Sequence, residues 1–424
     1  MARTSGRWSG PDGLERPVVQ SSLRRHNLSV VLHQIALGTT RREPVSRADI
    51  AATTGITKAT VSALVDRLIT GQLVEELPPA SPAGAGRPAK PIMLARGRVA
   101  ALGLEVNADF VGARVVDLTG AVLAESIFQF DLRHSDPGLG LSRLAQRASD
   151  VLEQLPAQVS LAGAGLALPG LIDPVSGRLI FAPNLGWSQV DARESLLAAA
   201  ESAQLTQNDQ LVKALAYPRI HNEAVLAAKA HATTETDPAA SFLYISGDIG
   251  IGAAVFMEGR PFGGLHGWAG EIGHNCIEPD GQRCSCGATG CLETVAGKAA
   301  LLRACGLEEP GGMDRLEDLL AADDARSPAH QAVDRAGHAL GQAVADAINL
   351  VDLNRVVLGG TMARLADHLV PIIYETVNLR AMPARWGDPI TVAASPYRSY
   401  PAMSGAAMAV LDGVIADPAA LLDA

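Results

Sequence analysis

Three cysteines and a histidine stand close together in the chain: His274, then Cys284-Ser-Cys286-Gly-Ala-Thr-Gly-Cys291. Thiolates bind zinc at about 2.3 Å and imidazole nitrogens at about 2.0 Å, so this set can complete a tetrahedral shell. Gly287 and Gly290 let the chain fold tightly back, which brings Cys291 to the ion held by the first two thiolates. With all four positions filled by protein no place is left for water, so the zinc expected is structural rather than catalytic. Cys276 competes with His274 for the fourth position, and free buried thiols are the alternative for the whole set. Four of the five cysteines lie between 276 and 291. Such clustering in a chain of cytosolic character points to metal rather than disulfides.

The elements that must position such residues fall into two parts of opposite charge. Residues 1–98 carry 14 Lys/Arg against 7 Asp/Glu, whereas residues 99–424 carry 21 against 38. A basic head suits a polyanionic partner, because Lys and Arg gain by displacing counterions from phosphates; a solvated basic face is the alternative. The chain is 48% hydrophobic and 19% charged, enough apolar material for several cores, so wholesale disorder is excluded. The longest uncharged apolar stretch, residues 161–172, contains Pro169 and falls far short of the roughly 20 residues that span a bilayer. The first residues show arginines without an apolar segment, so no signal peptide is expected and the location expected is cytoplasmic.

Residues 1–20 read as a flexible tail and 21–97 as a DNA-binding domain. Leu28, Val31, Leu32 and Ile35 recur at helical spacing up to Gly38. Ser46 suits the cap of a second, short helix, with Asp49 in its first turn, and Gly55 suits the turn that ends it. A third helix starts near Thr57, with Val61, Leu64, Val65, Leu68 and Ile69 on one face. Lys58, Thr60, Ser62 and Arg67 lie on the other, with Thr57 at its start, groups able to touch phosphates and base edges. This is a helix-turn-helix pattern. Residues 73–77 and 92–94 read as strands flanking a Pro/Gly loop, a wing whose Arg87 is placed to enter a minor groove. A three-helix packing unit with a linker is the alternative.

In the body, residues 100–106, 110–118, 122–130 and 160–168 read as strands and 141–155 as a helix. A helix over 329–351 leads to a strand over 356–358. Antiparallel strands followed by β–α alternation imply α/β lobes with mixed sheets.

Gly267-Trp268-Ala269-Gly270-Glu271-Ile272-Gly273-His274, followed by Cys284-x-Cys286-Gly-x-x-Gly-Cys291-x-Glu293, resembles the signature of the ROK family of bacterial repressors and sugar kinases. Leu168-Pro169-Gly170, Ser176-Gly177-Arg178 and Ala182-Pro183-Asn184 match further family segments, and the likeness covers essentially all of 98–424. With the winged helix in front, the chain resembles ROK regulators of the xylose-repressor type. The resemblance implies a winged helix-turn-helix (α+β) followed by a two-lobed α/β, actin/hexokinase-like (ribonuclease H-like) body. One lobe is expected from 98–220 plus 408–424, and a second from 221–407 with the zinc site and an oligomerisation surface. It also implies a sugar in the cleft, held by Gly177, Arg178, Asn184, Asn222, Glu223, Glu271, His274 and Glu293. Operator DNA and a homodimer or homotetramer complete the expected partners. Carboxylates accept and amides both donate and accept, so such a set can read a ring of hydroxyls. Turn capping by Asn184 and Asn222, and local pairing by Glu293, are the alternatives.

Departures from the family argue against phosphoryl transfer. Where the kinases carry Asp-x-Gly-Gly-Thr-Lys, this chain reads Glu105-Val106-Asn107-Ala108-Asp109, so phosphate would meet carboxylates. Asp248 stands in the second phosphate loop, and Glu223 replaces the catalytic Asp, moving the carboxylate by about an ångström. Val225 and His231 replace residues many relatives carry. The loop Gly359-Gly360-Thr361 reads as ordinary strand-to-helix punctuation. A sugar-responsive repressor is the leading expectation; a kinase with an added DNA-binding head, or a regulator answering to a protein partner, are its competitors.

Overall fold

In the computed structural model of the chain, helix α1 (Gln20–Thr40) buries Leu28, Val31, Leu32 and Ile35 and runs two residues beyond Gly38. The residues described are 20–78, 90–248, 250–322, 326–387, 389–397 and 399–423. Helix α2 (Arg47–Thr54) opens on a reciprocal cap: the Asp49 backbone N–H donates to Ser46 Oγ, and Asp49 Oδ2 accepts from the Ser46 backbone. Gly55 closes it in the left-handed region at φ 72°, where L side chains are strained. Helix α3 (Lys58–Thr70) is capped by Thr57 and packs Val61, Leu64, Val65 and Leu68 inward. Strands β1 (Val74–Glu76) and β2 (Ile92–Leu94) pair as the two sides of the wing. The tail 1–19 and the wing tip with Arg87 lie outside the described residues.

The chain divides into two units, one taking residues up to Met93 together with Gly413–Ala424, the other Leu94–Asp412. The stretch from 413 was expected in the first lobe of the body. Instead Arg25 pairs with Asp417, Arg67 with Asp423, and Ser29 Oγ donates to the Ile415 carbonyl at 3.3 Å. These are contacts between residues 356 to 392 positions apart, which no local pattern announces.

The second unit repeats one topology twice. The first sheet uses β3 (Val99–Val106), β4 (Phe110–Asp117), β5 (Val122–Gln129), β6 (Ser160–Leu168) and β10 (Arg219–Asn222) in the order β10-β6-β3-β4-β5. Strands β3, β4 and β5 are antiparallel, and β6 and β10 add in parallel. Helices α4 (Pro137–Glu153), α5 (Ala192–Ser202) and α6 (Asp209–Ala216) accompany it, with a small sheet of β7 (Leu171–Ile172), β8 (Leu179–Ala182) and β9 (Trp187–Val190). After α7 (Glu223–Ala232), the second sheet takes β11 (Phe242–Gly247), β12 (Ile251–Met257), β13 (Arg260–Phe262), β14 (Arg355–Gly359) and β15 (Thr391–Ala394). Its order, β13-β12-β11-β14-β15, is again an antiparallel meander with two parallel additions. Both lobes therefore carry the ribonuclease H-like order.

The helices of the second lobe are α8 (Glu293–Ala296), α9 (Lys298–Ala304), α10 (Gly312–Ala321), α11 (Pro328–Val351), α12 (Gly360–Arg364), α13 (Ala366–Arg380) and α14 (Met382–Arg385). Leu340, Val344 and Ile348 of α11 form its core with Leu369 and Ile373 of α13. The expected lobe boundaries shift in two places. Residues 221–222 complete β10 of the first sheet by pairing with Ala167 and Leu168. Helix α15 (Pro401–Ala416) lays Met403 and Ala406 against Gly103 of β3 and Gly165 of β6, so 401–407 lie on the first sheet. The duplication puts the β3–β4 and β11–β12 turns at equivalent ends of their sheets, and there Asn107 Nδ2 lies 3.4 Å from Asp248 Oδ2.

Candidate functional site

A cavity of ≈ 270 Å³ opens where these ends converge, lined by Asn184, Asn222, Glu223, Glu271, His274 and Glu293 among others. Six of the eight residues expected around a sugar thus meet at one place. Asn222 both caps and lines: its Oδ1 accepts from the backbone of Ala224 and Val225, and its Nδ2 donates to the Gly170 carbonyl at 3.1 Å. Glu223 follows as the first residue of α7. Burial, with Glu271, Glu105 and Asp248 nearby, holds its carboxyl well above the usual range, and its Oε2 is buried without a partner. A protonated Glu223 can donate as well as accept. Gly250 permits a close approach in the cavity wall: a Cβ there would lie 2.6 Å from Glu293 Oε2 and 2.8 Å from Asn184 Nδ2.

Gly177 and Arg178 do not line the cavity, contrary to expectation. They close the turn between β7 and β8, where Gly177 N–H donates to the Asp173 carbonyl and Arg178 Nη2 to the Gln189 carbonyl at 3.0 Å. The turn satisfies its own backbone and ties the guanidinium outside. Of the two α7 residues that replace ones many relatives carry, Val225 lines the cavity. His231 is buried elsewhere, with Nδ1 3.2 Å from Ser395 Oγ and Nε2 3.0 Å from Glu235 Oε1. Phe181, Trp268 and Ser285 were not foreseen. Phe181 and Trp268 give the cavity its apolar wall, and Ser285 Oγ lies 2.9 Å from Asn184 Oδ1 and 3.1 Å from Glu293 Oε1. The signal for Ser285 was its position between Cys284 and Cys286, since a residue between two ligands travels with them.

His274, Cys284, Cys286 and Cys291 bring one donor atom each to within 4.8 Å of one another. Cys286 Sγ and Cys291 Sγ are 3.7 Å apart, and Cys284 Sγ lies 3.6 Å from His274 Nδ1. A tetrahedron with metal–sulfur bonds near 2.3 Å has edges of about 3.8 Å, so the set fits a tetrahedral metal ion. Gly290 makes the return possible: its φ is 74°, and a Cβ there would strike the Glu278 carbonyl at 1.6 Å. Cys276 is exposed and outside the group, so His274 supplies the fourth donor. The other imidazole nitrogen, Nε2, faces Glu271 at 3.8 Å.

The end of β3 and the β11–β12 turn carry buried acid. Glu105, 2% exposed, is pushed up to about 8 by burial and by Asp248, and its Oε2 has no partner. Burial and Asp109 raise Asp248 to about 6. Lys298 is occupied, with Nζ 2.7 Å from Asp109 and 2.9 Å from Glu309.

In the head, α3 presents Lys58 and Thr60 as exposed residues and Ser62 as a half-buried one. Thr57 Oγ1 is 2.9 Å from Thr60 Oγ1, so the cap fixes both hydroxyls. Arg67 differs from expectation, because its guanidinium pairs with Asp423. Asp66 also faces outward, bound by Arg47 at 2.6 Å.

The ROK family model matches residues 140–412. The chain belongs to the ROK family. Its head, residues 26–83, matches the MarR family. Among relatives of this ROK chain, the xylose repressor of Bacillus subtilis (strain 168) is 28% identical over 294 residues, covering 68% of this chain and 70% of the relative. The DNA-binding transcriptional dual regulator NagC of Escherichia coli (strain K12) is 28% identical over 392 residues, covering 88% and 91%. A solved ROK family transcriptional regulator, a homologue of the E. coli MLC protein, superposes at TM-score 0.71 with 22% identity, covering 95% of this chain and 100% of that one. A ROK family glucokinase from Streptomyces griseus, solved with glucose and AMPPNP, gives 0.60 at 18% identity, covering 73% and 98%. These structural likenesses establish the fold of both parts of the ROK chain. Among its described residues no helix is long and apolar enough to cross a membrane.

Proposed function

We propose that this ROK protein is a sugar-responsive transcriptional repressor whose body senses a sugar and does not transfer phosphate. The observation that carries the reading is the convergence of Asn184, Asn222, Glu223, Glu271 and Glu293 on one cavity in a chain that also bears a winged helix. Amides and carboxylates in that arrangement recognise hydroxyl groups by direction as well as by charge. His274, Cys284, Cys286 and Cys291 would hold zinc, which closes the loop that carries Glu271 and Glu293 and leaves no coordination site open for chemistry. His274 then serves twice, with Nδ1 toward the metal and Nε2 toward Glu271 and the cavity.

Gly177 and Arg178 leave the proposed sugar set, and Arg67 leaves the proposed DNA set, because each is tied elsewhere. Thr57, Lys58, Thr60 and Ser62 remain the groups for the major groove. A dimer would read a two-fold site with half-site centres about 34–36 Å apart, or a multiple of that. The acid at Glu105, Asp109 and Asp248, with Lys298 already paired, favours sensing over catalysis. The test is footprinting on genomic fragments at low and moderate salt, with and without a sugar panel. Protection of a palindromic site that one sugar relieves is expected; the absence of any protected site contradicts the reading. An ATP-dependent phosphorylation assay over the same panel is expected to show no turnover.

A further inference from the structure

Helix α15 belongs to both units, since the division of the chain falls between Asp412 and Gly413. Its first half is packed backbone against backbone. A Cβ on Gly103 of β3 would lie 1.9 Å from the Met403 carbonyl oxygen, and one on Gly165 of β6 2.2 Å from that of Ala406. On Gly405 of α15 itself, a Cβ would lie 1.7 Å from the Leu226 carbonyl oxygen of α7. Without the usual layer of side chains between them, α15 shifts only if β3, β6 and α7 shift with it. Lys229 of α7 adds an ion pair to Asp412. Helix α7 starts in the cavity wall, with Asn222 as its cap and Glu223 as its first residue.

Beyond Asp412 the same helix enters the head. Ser29 Oγ of α1 donates to the Ile415 carbonyl at 3.3 Å, and the Arg25 guanidinium forks onto both oxygens of Asp417. Helix α16 (Pro418–Leu422) then reaches the end of α3. Leu422 Cδ2 fills the space beside Gly71, 1.9 Å from where a Cβ would stand, and Asp423 pairs with Arg67.

From this we infer that α7, α15 and α16 form the route by which occupancy of the cavity reaches the DNA-reading helix α3. The inference rests on the sugar-sensing reading and adds its mechanical path. A ligand that moves Asn222 and Glu223 moves the start of α7, and the close packing at Gly405 passes the shift to α15. Helical hydrogen bonds carry it past Asp412 to the contacts on α1 and α3. An exposed ion pair contributes little by itself, so the route depends on the packed glycines and on an unbroken helix.

Inserting Gly-Ser-Gly-Ser between Asp412 and Gly413 breaks that helix while keeping every head-docking residue. The full-length, zinc-loaded protein is titrated onto a labelled genomic fragment that it protects in footprinting, with and without D-xylose, D-glucose or N-acetyl-D-glucosamine. Calorimetry follows binding of the same sugars. In the wild type one sugar should change fragment affinity by about 5–150-fold. The insertion variant should bind that sugar, and the fragment without sugar, as the wild type does, while its response falls below about twofold. Leu422→Ala combined with Asp423→Asn, checked by its melting curve, should shrink the response about threefold or more. An insertion variant with the full wild-type response overturns the inference and leaves sugar sensing standing. Should the insertion abolish sugar-free fragment binding, the second variant decides: an unchanged response, or binding lost there too, makes residues 413–423 a brace of the head and overturns the inference. A wild type that binds none of the sugars overturns sugar sensing, and this inference with it.

Discussion

At the scale of single residues, the metal group and the buried acids carry distinct tests. Cys284→Ser should reduce bound zinc from about one equivalent per chain to well under half, read by elemental analysis, and lower the melting temperature by several degrees. Cys276→Ser should leave both unchanged, because Cys276 lies outside the donor set. Glu105 gives a pH test. Its carboxyl titrates near 8 in the folded chain and near its ordinary 4.5 when unfolded. Between those values the unfolded state holds fewer protons, so stability falls as pH rises through the window, by at most about 1.4 kcal/mol per unit. Glu105→Gln should remove that loss, so the gain in melting temperature over wild type should widen from pH 5 to pH 8. The metal group was legible in the sequence because its spacing is short and its residue types are rare. Gly177 and Arg178 were misplaced because a motif locates a segment, while the direction of a side chain depends on a turn that satisfies its own carbonyls.

Elements follow the same division between local and distant causes. The caps of α2 and α3 lie within four residues of what they cap, so Ser46, Thr57 and Gly55 could be read directly. Ser46→Ala should cost about 1 kcal/mol, measured by chemical denaturation. Lys58→Ala should weaken operator binding and lower the slope of log K against log salt by about one. Strands β11 and β12 were harder to see, because Phe242–Gly247 and Ile251–Met257 are nearly continuous apolar runs that fit a buried strand or a buried helix segment. The pairing of residues 413–423 with α1 and α3 was invisible for another reason. Arg25–Asp417 and Arg67–Asp423 join opposite ends of the sequence, and neither residue type nor period marks a partner that distant.

For the whole molecule, the duplicated lobe explains why a sensor and a kinase can share this body. The β3–β4 and β11–β12 turns meet at one cleft in either case, and the residues placed on those turns decide the chemistry. Here Asn107, Asp109 and Asp248 stand on them. The repeated order β5-β4-β3-β6-β10 and β13-β12-β11-β14-β15 leaves no sequence repeat of short period, because the fold constrains burial more than identity. If operator binding also distinguishes the lobe closures, a sugar that binds one closure better than another shifts operator affinity, and DNA then shifts sugar affinity by the same factor. The measurement that bears most directly on this account is fluorescence anisotropy of a labelled operator, titrated with protein in the absence and presence of a saturating sugar. Wild-type affinity should change by about 5–150-fold, while Glu223→Ala keeps its sugar-free affinity and loses the response. A sugar that binds the wild-type body tightly yet leaves operator affinity unchanged at every salt concentration would contradict the account.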